Sequence, residues 1–435
     1  MDRVNATAPW RFPRSRTVVL GNGMTVKLVH MPGRLVATVA VSVALPTRAE
    51  APDKEGAVAA YTAMMLTDAP HSRSGLVSAV AKIGGTITTG CDHRGPKVVA
   101  DCPVTDLPRL LDALATMLLR FEPTEASFEA CRRRIAGERA VEDHDPSALA
   151  NRLLSESVLA PTSRYARPVG GTEESWRTLT RHDVAALYAT GVAPPTMTVV
   201  VVGDLGLVDA EAAVHESFVH HPKAVCRPTA DRQPEPGSGP RLILRPGQGG
   251  GQTQIMMGCF AVDRLDPRWA SARAAAKILG GGADALLNKE LRGRLGISYG
   301  FEARFVPYFS GGLFMVAGSV DGTHSQEAAA AVLRVIRQTV DDGVDARLFE
   351  RVRTHMVTGA AETYETTLAV AQQHTELISC GIDEAFIDRH LEELRNLDRA
   401  QMESDLRSLV DPDRLHVAVV GRFDPDASVL AGLER

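Results

Sequence analysis

The sequence predicts an α+β fold of two homologous domains, each a mostly antiparallel sheet with helices packed on one face. Three observations predict it. The apolar, β-branched run Met197–Gly203 returns at residues 415–421, an offset of 218 in a chain of 435. At that same offset Arg177-Thr-Leu-Thr-Arg181 matches Arg395-Asn-Leu-Asp-Arg399, so two separate segments repeat in register. Between the copies, residues 220–241 are rich in Pro, Gly and polar side chains and carry no apolar periodicity, which is linker composition. The domains are then residues 1–222 and 241–435, joined by a linker at 223–240. Strands and helices do not alternate as βαβ units, which favours antiparallel layers.

The elements follow in order. Residues 17–20, 25–30 and 36–43 read as strands, the first two joined by the turn Gly21-Asn22-Gly23. Residues 56–66 and 107–119 read as helices from their Ala, Leu and Met content. In the second of these, Leu110, Leu111, Leu114, Met117 and Leu118 recur at helical spacing and form a core face. Residues 97–102 read as a further strand, and 197–203 as a fully buried one, because its apolar run is uninterrupted. In the second half, 241–244 and 253–259 are strands, 269–279 and 326–340 helices, and 298–305 with 312–320 a strand pair.

Composition narrows the function classes. With 44% hydrophobic, 23% charged and 5% aromatic residues, the chain is neither disordered nor a small disulfide scaffold. A net charge of −5 without a basic stripe gives nucleic-acid binding no electrostatic basis. The six cysteines (Cys91, Cys102, Cys131, Cys226, Cys259 and Cys380) form no C-x-x-C pair and read as reduced, mostly buried small hydrophobes. The N-terminal residues lack the apolar stretch of a signal peptide, and no run of 18 apolar residues occurs. The expectation is a cytoplasmic protein with no membrane partner.

Several short motifs follow one another in a telling order. They are Arg16-Thr-Val-Val-Leu-Gly-Asn-Gly-Met-Thr-Val26, Glu55-Gly56 before a helix, Ile83-Gly-Gly85, Asp145-Pro146, Ile278-Leu-Gly-Gly-Gly282, and Asn288-Lys-Glu-Leu-Arg-Gly-Arg-Leu-Gly-Ile-Ser-Tyr299. Together the chain resembles the inverzincin (pitrilysin/insulinase) metallopeptidases, in particular half-length bacterial forms similar to the mitochondrial processing peptidase. The first motif is similar to that family's L-x-N-G-L-x-V opening, the last to its L-R-x-x-x-G-L-x-Y signature. The resemblance covers almost the whole chain and implies paired domains that form half of a clam-like chamber.

The family's zinc chemistry rests on H-x-x-E-H, two histidines on one helix face with a general-base glutamate between them. Aligned on Gly56 and Met64, the histidine positions hold Ala59 and Ala63 and the glutamate position holds Thr62. A methyl group cannot coordinate zinc, and a threonine hydroxyl is too weak an acid–base group near neutral pH. The family's third ligand is a glutamate about 75 residues further on, a place that Glu138 matches; the acidic residue seven before it is replaced by Cys131. One carboxylate does not make a catalytic zinc site, which takes three protein ligands. The expectation is no cofactor in this chain.

No sequence pattern argues for a replacement site, although one built from distant residues stays open. Among the 13 histidines no pair has i, i+4 spacing with a nearby carboxylate; His220 and His221 read as a solvated loop pair, and His93 lies in a turn without a recognisable ligand partner. There is no G-x-S-x-G elbow, and Gly280–Gly282 lack the Lys-Ser/Thr of a phosphate loop. These glycines read as a helix stop, and the following Ala283-Asp-Ala-Leu286 departs from the family's S-S-R-L.

What the chain keeps is Arg292 and Tyr299, seven apart within the signature. In the family such a pair binds substrate and helps stabilise the tetrahedral oxyanion. The chemistry suits that role, since a guanidinium offers several fixed donors and a phenol one uncharged donor. The other reading of the two is a surface arginine on a helix and a half-buried strand tyrosine. The resemblance thus implies a non-catalytic subunit of a heterodimeric zinc metallopeptidase: zinc and H-x-x-E-H in a homologous partner, Arg292 and Tyr299 from this chain, and extended peptides as substrates, bound partly by strand addition. The alternative is a catalytically inert peptide-binding or scaffold protein of the same fold.

Overall fold

The computed structural model describes residues 10–67, 75–221, 234–238, 241–247 and 251–423. Cys226 and most of the expected linker lie outside the described residues. Two sheets organise the chain. The first has six strands, β1 (Arg16–Val19), β2 (Thr25–His30), β3 (Val36–Val43), β4 (Thr86–Asp92), β5 (Gly95–Pro103) and β6 (Met197–Gly203), in the order β1-β2-β6-β3-β5-β4. The second has five, β7 (Leu242–Pro246), β8 (Gln252–Ala261), β9 (Ser298–Pro307), β10 (Gly312–Asp321) and β11 (His416–Gly421), in the order β7-β11-β8-β10-β9.

The sequence repeat is a repeat of topology. β6 runs parallel to β2 and antiparallel to β3; β11 runs parallel to β7 and antiparallel to β8. The remaining pairs in both sheets are antiparallel, and β1–β2, β4–β5 and β9–β10 are consecutive in the chain. The turn between β1 and β2 is held by its asparagine, which is buried: the Asn22 side-chain amide donates to the Phe218 carbonyl at 2.8 Å, while its Oδ1 accepts the Met24 N–H at 3.2 Å.

The chain divides into two compact units, and each takes a segment from the other half of the sequence. One comprises Met1–Arg132, Val169–Thr229 and Thr358–Leu391; the other comprises Arg133–Pro168, Ala230–Val357 and Glu392–Arg435. The exchanged helices explain how the central strands are covered. Successive residues of a strand face opposite sides of its sheet. Helix Pro146–Val158 supplies Ala150, Leu154 and Val158 to a core with Met256, Leu313, Met315, Ala418 and Val420. The intervening Ile255, Met257, Phe314, Val316, Val417 and Val419 are buried as well, so that sheet is covered on both faces. In the first unit, helix Thr367–Ser379 packs on β3 and β6, the equivalents of β8 and β11. There Ala37 through Val43 are all buried. Helices on one face therefore describe one layer of each unit, and the exchanged helix is the second.

Two elements differ from the sequence reading. β4 carries one large apolar residue, Ile87, among Thr and Gly. It is an edge strand half open to solvent, so it lacks an apolar run. Residues 234–238, inside the expected linker, are tied down: Pro236 bridges Leu159, and the Gly237 N–H donates to the Val158 carbonyl at 2.7 Å. No helix among the described residues is long and apolar enough to cross a membrane.

Candidate functional site

The helix that aligns with the family's zinc motif, Ala57–Met64, starts where Gly56 adopts φ +100° and Glu50 accepts the N–H groups of Gly56 and Val58 at 3.0 and 2.8 Å. A carboxylate at a helix start meets both the free donors and the dipole. Ala59 and Ala63 lie one turn apart and are partly exposed, so they share the helix face that histidines would need. Thr62 is 4% exposed, and its hydroxyl donates to the Val58 carbonyl at 2.8 Å. Its one proton is therefore spent within the helix. The neighbouring Tyr61 is fully buried against Phe121 and Tyr188, and burial raises its phenol well above the ordinary value, so it stays neutral. These residues do not fit zinc.

Glu138 lies on helix Glu125–His144, exposed, paired with Arg134 one turn back at 2.7 Å. Cys131 is buried. The following Asp145-Pro146 is a helix break: Asp145 caps the next helix by accepting the Ser147 N–H at 2.8 Å, with Pro146 in its first turn. Among the described residues no group of three His, Cys, Asp or Glu is arranged to hold a metal ion. His93, placed in a turn by the sequence, has its Nδ1 3.1 Å from the Thr47 hydroxyl.

Arg292 and Tyr299 sit on a different kind of local structure. Residues Lys289–Arg294 form a π turn, closed by the Leu295 N–H donating to the Glu290 carbonyl at 2.9 Å, a wide turn common at functional positions. Glu290 is engaged by Arg294 and Arg334, each at 2.7 Å, and the hydrogen bond from Arg294 brings its carboxyl down to about 2. Arg292, on another side of the turn, is exposed and makes no ion pair among the described residues. Gly296, at φ +69°, then reverses the chain into β9.

A β-bulge presents Tyr299. Phe301 pairs with Gly318 and Ser298 with Val320, so three steps on β9 match two on β10. Residues 299 and 300 together oppose one partner, and the extra residue turns Tyr299 out of the buried face that Phe301, Ala303 and Phe305 share. Tyr299 is 88% exposed, not half-buried. The Ser298 hydroxyl pins the bulge, donating to the Ser319 carbonyl at 2.9 Å and accepting the Gly300 N–H at 3.1 Å. The sequence carries no marker of this bulge beyond Gly300. The Gly280 stop has a steric reason: a Cβ there would lie 2.2 Å from the Ala303 backbone nitrogen.

Comparison with known proteins agrees with this architecture. Residues 178–356 match the family described as the Peptidase M16 inactive domain. An uncharacterised zinc protease of Mycobacterium leprae is 26% identical over 342 residues, 76% of this chain and 74% of that protein. Among solved structures, a peptidase M16 inactive domain from Pseudomonas fluorescens superposes with a TM-score of 0.84 at 19% identity, covering 94% of this chain and 98% of that one. A protease from Helicobacter pylori superposes at 0.85 with 15% identity, over 94% and 100%.

Proposed function

The chain is related to the M16 metallopeptidases, and from that premise we propose that it is the zinc-free subunit of a heterodimeric peptidase. A homologous partner carrying H-x-x-E-H supplies the metal and the general base; this chain supplies Arg292 and Tyr299 as hydrogen-bond donors to the substrate backbone and to the oxyanion that develops on its scissile carbonyl. Extended peptides are the substrate class. One observation carries the reading: the chain presents an arginine and a tyrosine outward on a π turn and a bulge, while the zinc-motif positions hold two methyl groups and a hydroxyl bonded to its own helix.

The test is metal content and peptidase activity of the chain purified alone and then with an H-x-x-E-H homologue from the same organism. The expected result is an inert, metal-free chain alone and a complex that holds about one zinc per heterodimer and cleaves peptides, in line with single-metal peptidases. Stoichiometric zinc and cleavage by the chain alone would overturn the proposal. A stable complex whose turnover ignores substitutions at Arg292 and Tyr299 would favour an inert peptide-binding or scaffold role.

A further inference from the structure

Arg292 and Tyr299 lie within one segment whose two ends are tied together by a single side chain. Asn288 is 9% exposed; its Oδ1 accepts the Phe301 N–H at 2.7 Å, and its Nδ2 donates to the Gly282 carbonyl at 2.8 Å. The two bonds make opposite demands, one for an acceptor and one for a donor, and a planar amide meets both in one orientation. At one end, Asn288 precedes Arg292 by a single turn. At the other, Phe301 is the first residue past the bulge that carries Tyr299.

The segment between is otherwise held from within. The Ile297 N–H donates to the Leu291 carbonyl at 3.0 Å, and Leu291 and Phe301 are fully buried anchors. β9 is an edge strand, so N–H groups on its outer side have no strand partner among the described residues, and a bulge weakens the ladder on its inner side. The Asn288 bond takes one such N–H where the strand is weakest. Asparagine is a poor residue for a helix interior and has no apolar packing to offer, so its place in this buried turn is explained by the two bonds.

We propose that Asn288 is the positioning residue that sets the spacing between Arg292 and Tyr299, by locking the bulge to the end of the helical turn. Its consequence for turnover rests on the function proposed above; its consequence for the local structure does not. Asn288→Leu keeps the branching at Cγ, with somewhat more bulk, and removes both bonds. Asn288→Asp keeps the acceptor but sets a carboxylate oxygen against the Gly282 carbonyl.

Two measurements test this. In hydrogen–deuterium exchange on the purified chain, Asn288→Leu is expected to speed exchange at residues 299–301 by about tenfold, with β8 and β11 unchanged. In the active complex, kcat on a quenched fluorogenic peptide is expected to fall about tenfold or more with KM within about twofold, because misplaced donors act on the transition state. Asn288→Asp should fall between, and it serves both measurements if Asn288→Leu does not fold. Unchanged exchange at 299–301 overturns the proposal. So does faster exchange with unchanged kcat, which would make Asn288 structural only. If no active complex exists, the proposed function fails, and the exchange result alone decides whether Asn288 fixes the bulge.

Discussion

Thr62 donates its hydroxyl to the Val58 carbonyl at 2.8 Å, one turn back along its own helix. At the position proposed to correspond to the family's general base, this side chain is both chemically weak and already engaged. Thr62→Val, nearly isosteric, should therefore shift the urea-unfolding free energy by no more than about 1 kcal/mol, the net worth of one such bond. Turnover of an active complex should not change. A loss of tenfold or more in a folded variant would give the hydroxyl a catalytic part and refute this reading of position 62.

Arg292 and Tyr299 separate stability from activity. Both are exposed and pack against little, so Arg292→Ala and Tyr299→Phe should each leave stability within about 0.5 kcal/mol of the parent. In the complex each should lower kcat by about 10²-fold, the usual cost of losing an oxyanion donor. The check is denaturation and steady-state kinetics on the same preparations.

Acid should loosen a cluster that joins the β4–β5 turn to helix Thr367–Ser379. Arg94 contacts Asp92 at 2.9 Å and Glu376 at 2.7 Å, and Lys97 contacts them at 2.7 and 3.0 Å. Burial alone would raise the Asp92 carboxyl, but Arg94 and Lys97 more than offset it and bring it down to about 2. A carboxylate depressed in the folded state stabilises the fold at all pH values above its ordinary range, near 4, and that contribution disappears as pH falls from about 4 to about 2. Asp92→Asn should flatten the acid limb of a stability–pH curve in that window and leave its slope near neutrality unaltered. An unchanged acid limb would show that the Asp92 carboxylate contributes nothing to stability in that window.

Gly280→Ala adds a methyl group where the Ala303 nitrogen lies 2.2 Å away. Backbone must move to admit it, which costs about 1–3 kcal/mol in a packed interior. Because Ala303 lies on β9 two residues past Phe301, the variant should also disturb the Tyr299 bulge, seen as faster amide exchange at 299–301. A neutral effect on both would mean that the helix end shifts freely.

Much of the fold was legible because it is written in local chemistry. The runs of 197–203 and 415–421 are apolar on both parities, which only a strand buried on both faces requires, and their spacing exposed the repeat. The Asn-Gly turn, the helix face of Leu110 to Leu118 and the Asp-Pro break are equally local. The proposed mismatch to the zinc motif is a matter of residue identity at Ala59, Thr62 and Ala63, and is read without coordinates.

Three features belonged to tertiary structure alone. The exchange of helices Pro146–Val158 and Thr367–Ser379 between units leaves no trace in periodicity, since an apolar helix face is the same whichever sheet receives it. β4 was invisible because an edge strand facing solvent needs no apolar run. And Tyr299 is presented by a register shift between two strands, a relation between residues 20 apart that no single stretch of sequence encodes. Residue identity is read at positions 59, 62 and 63 from the sequence alone; pairing across strands decided how Tyr299 is presented.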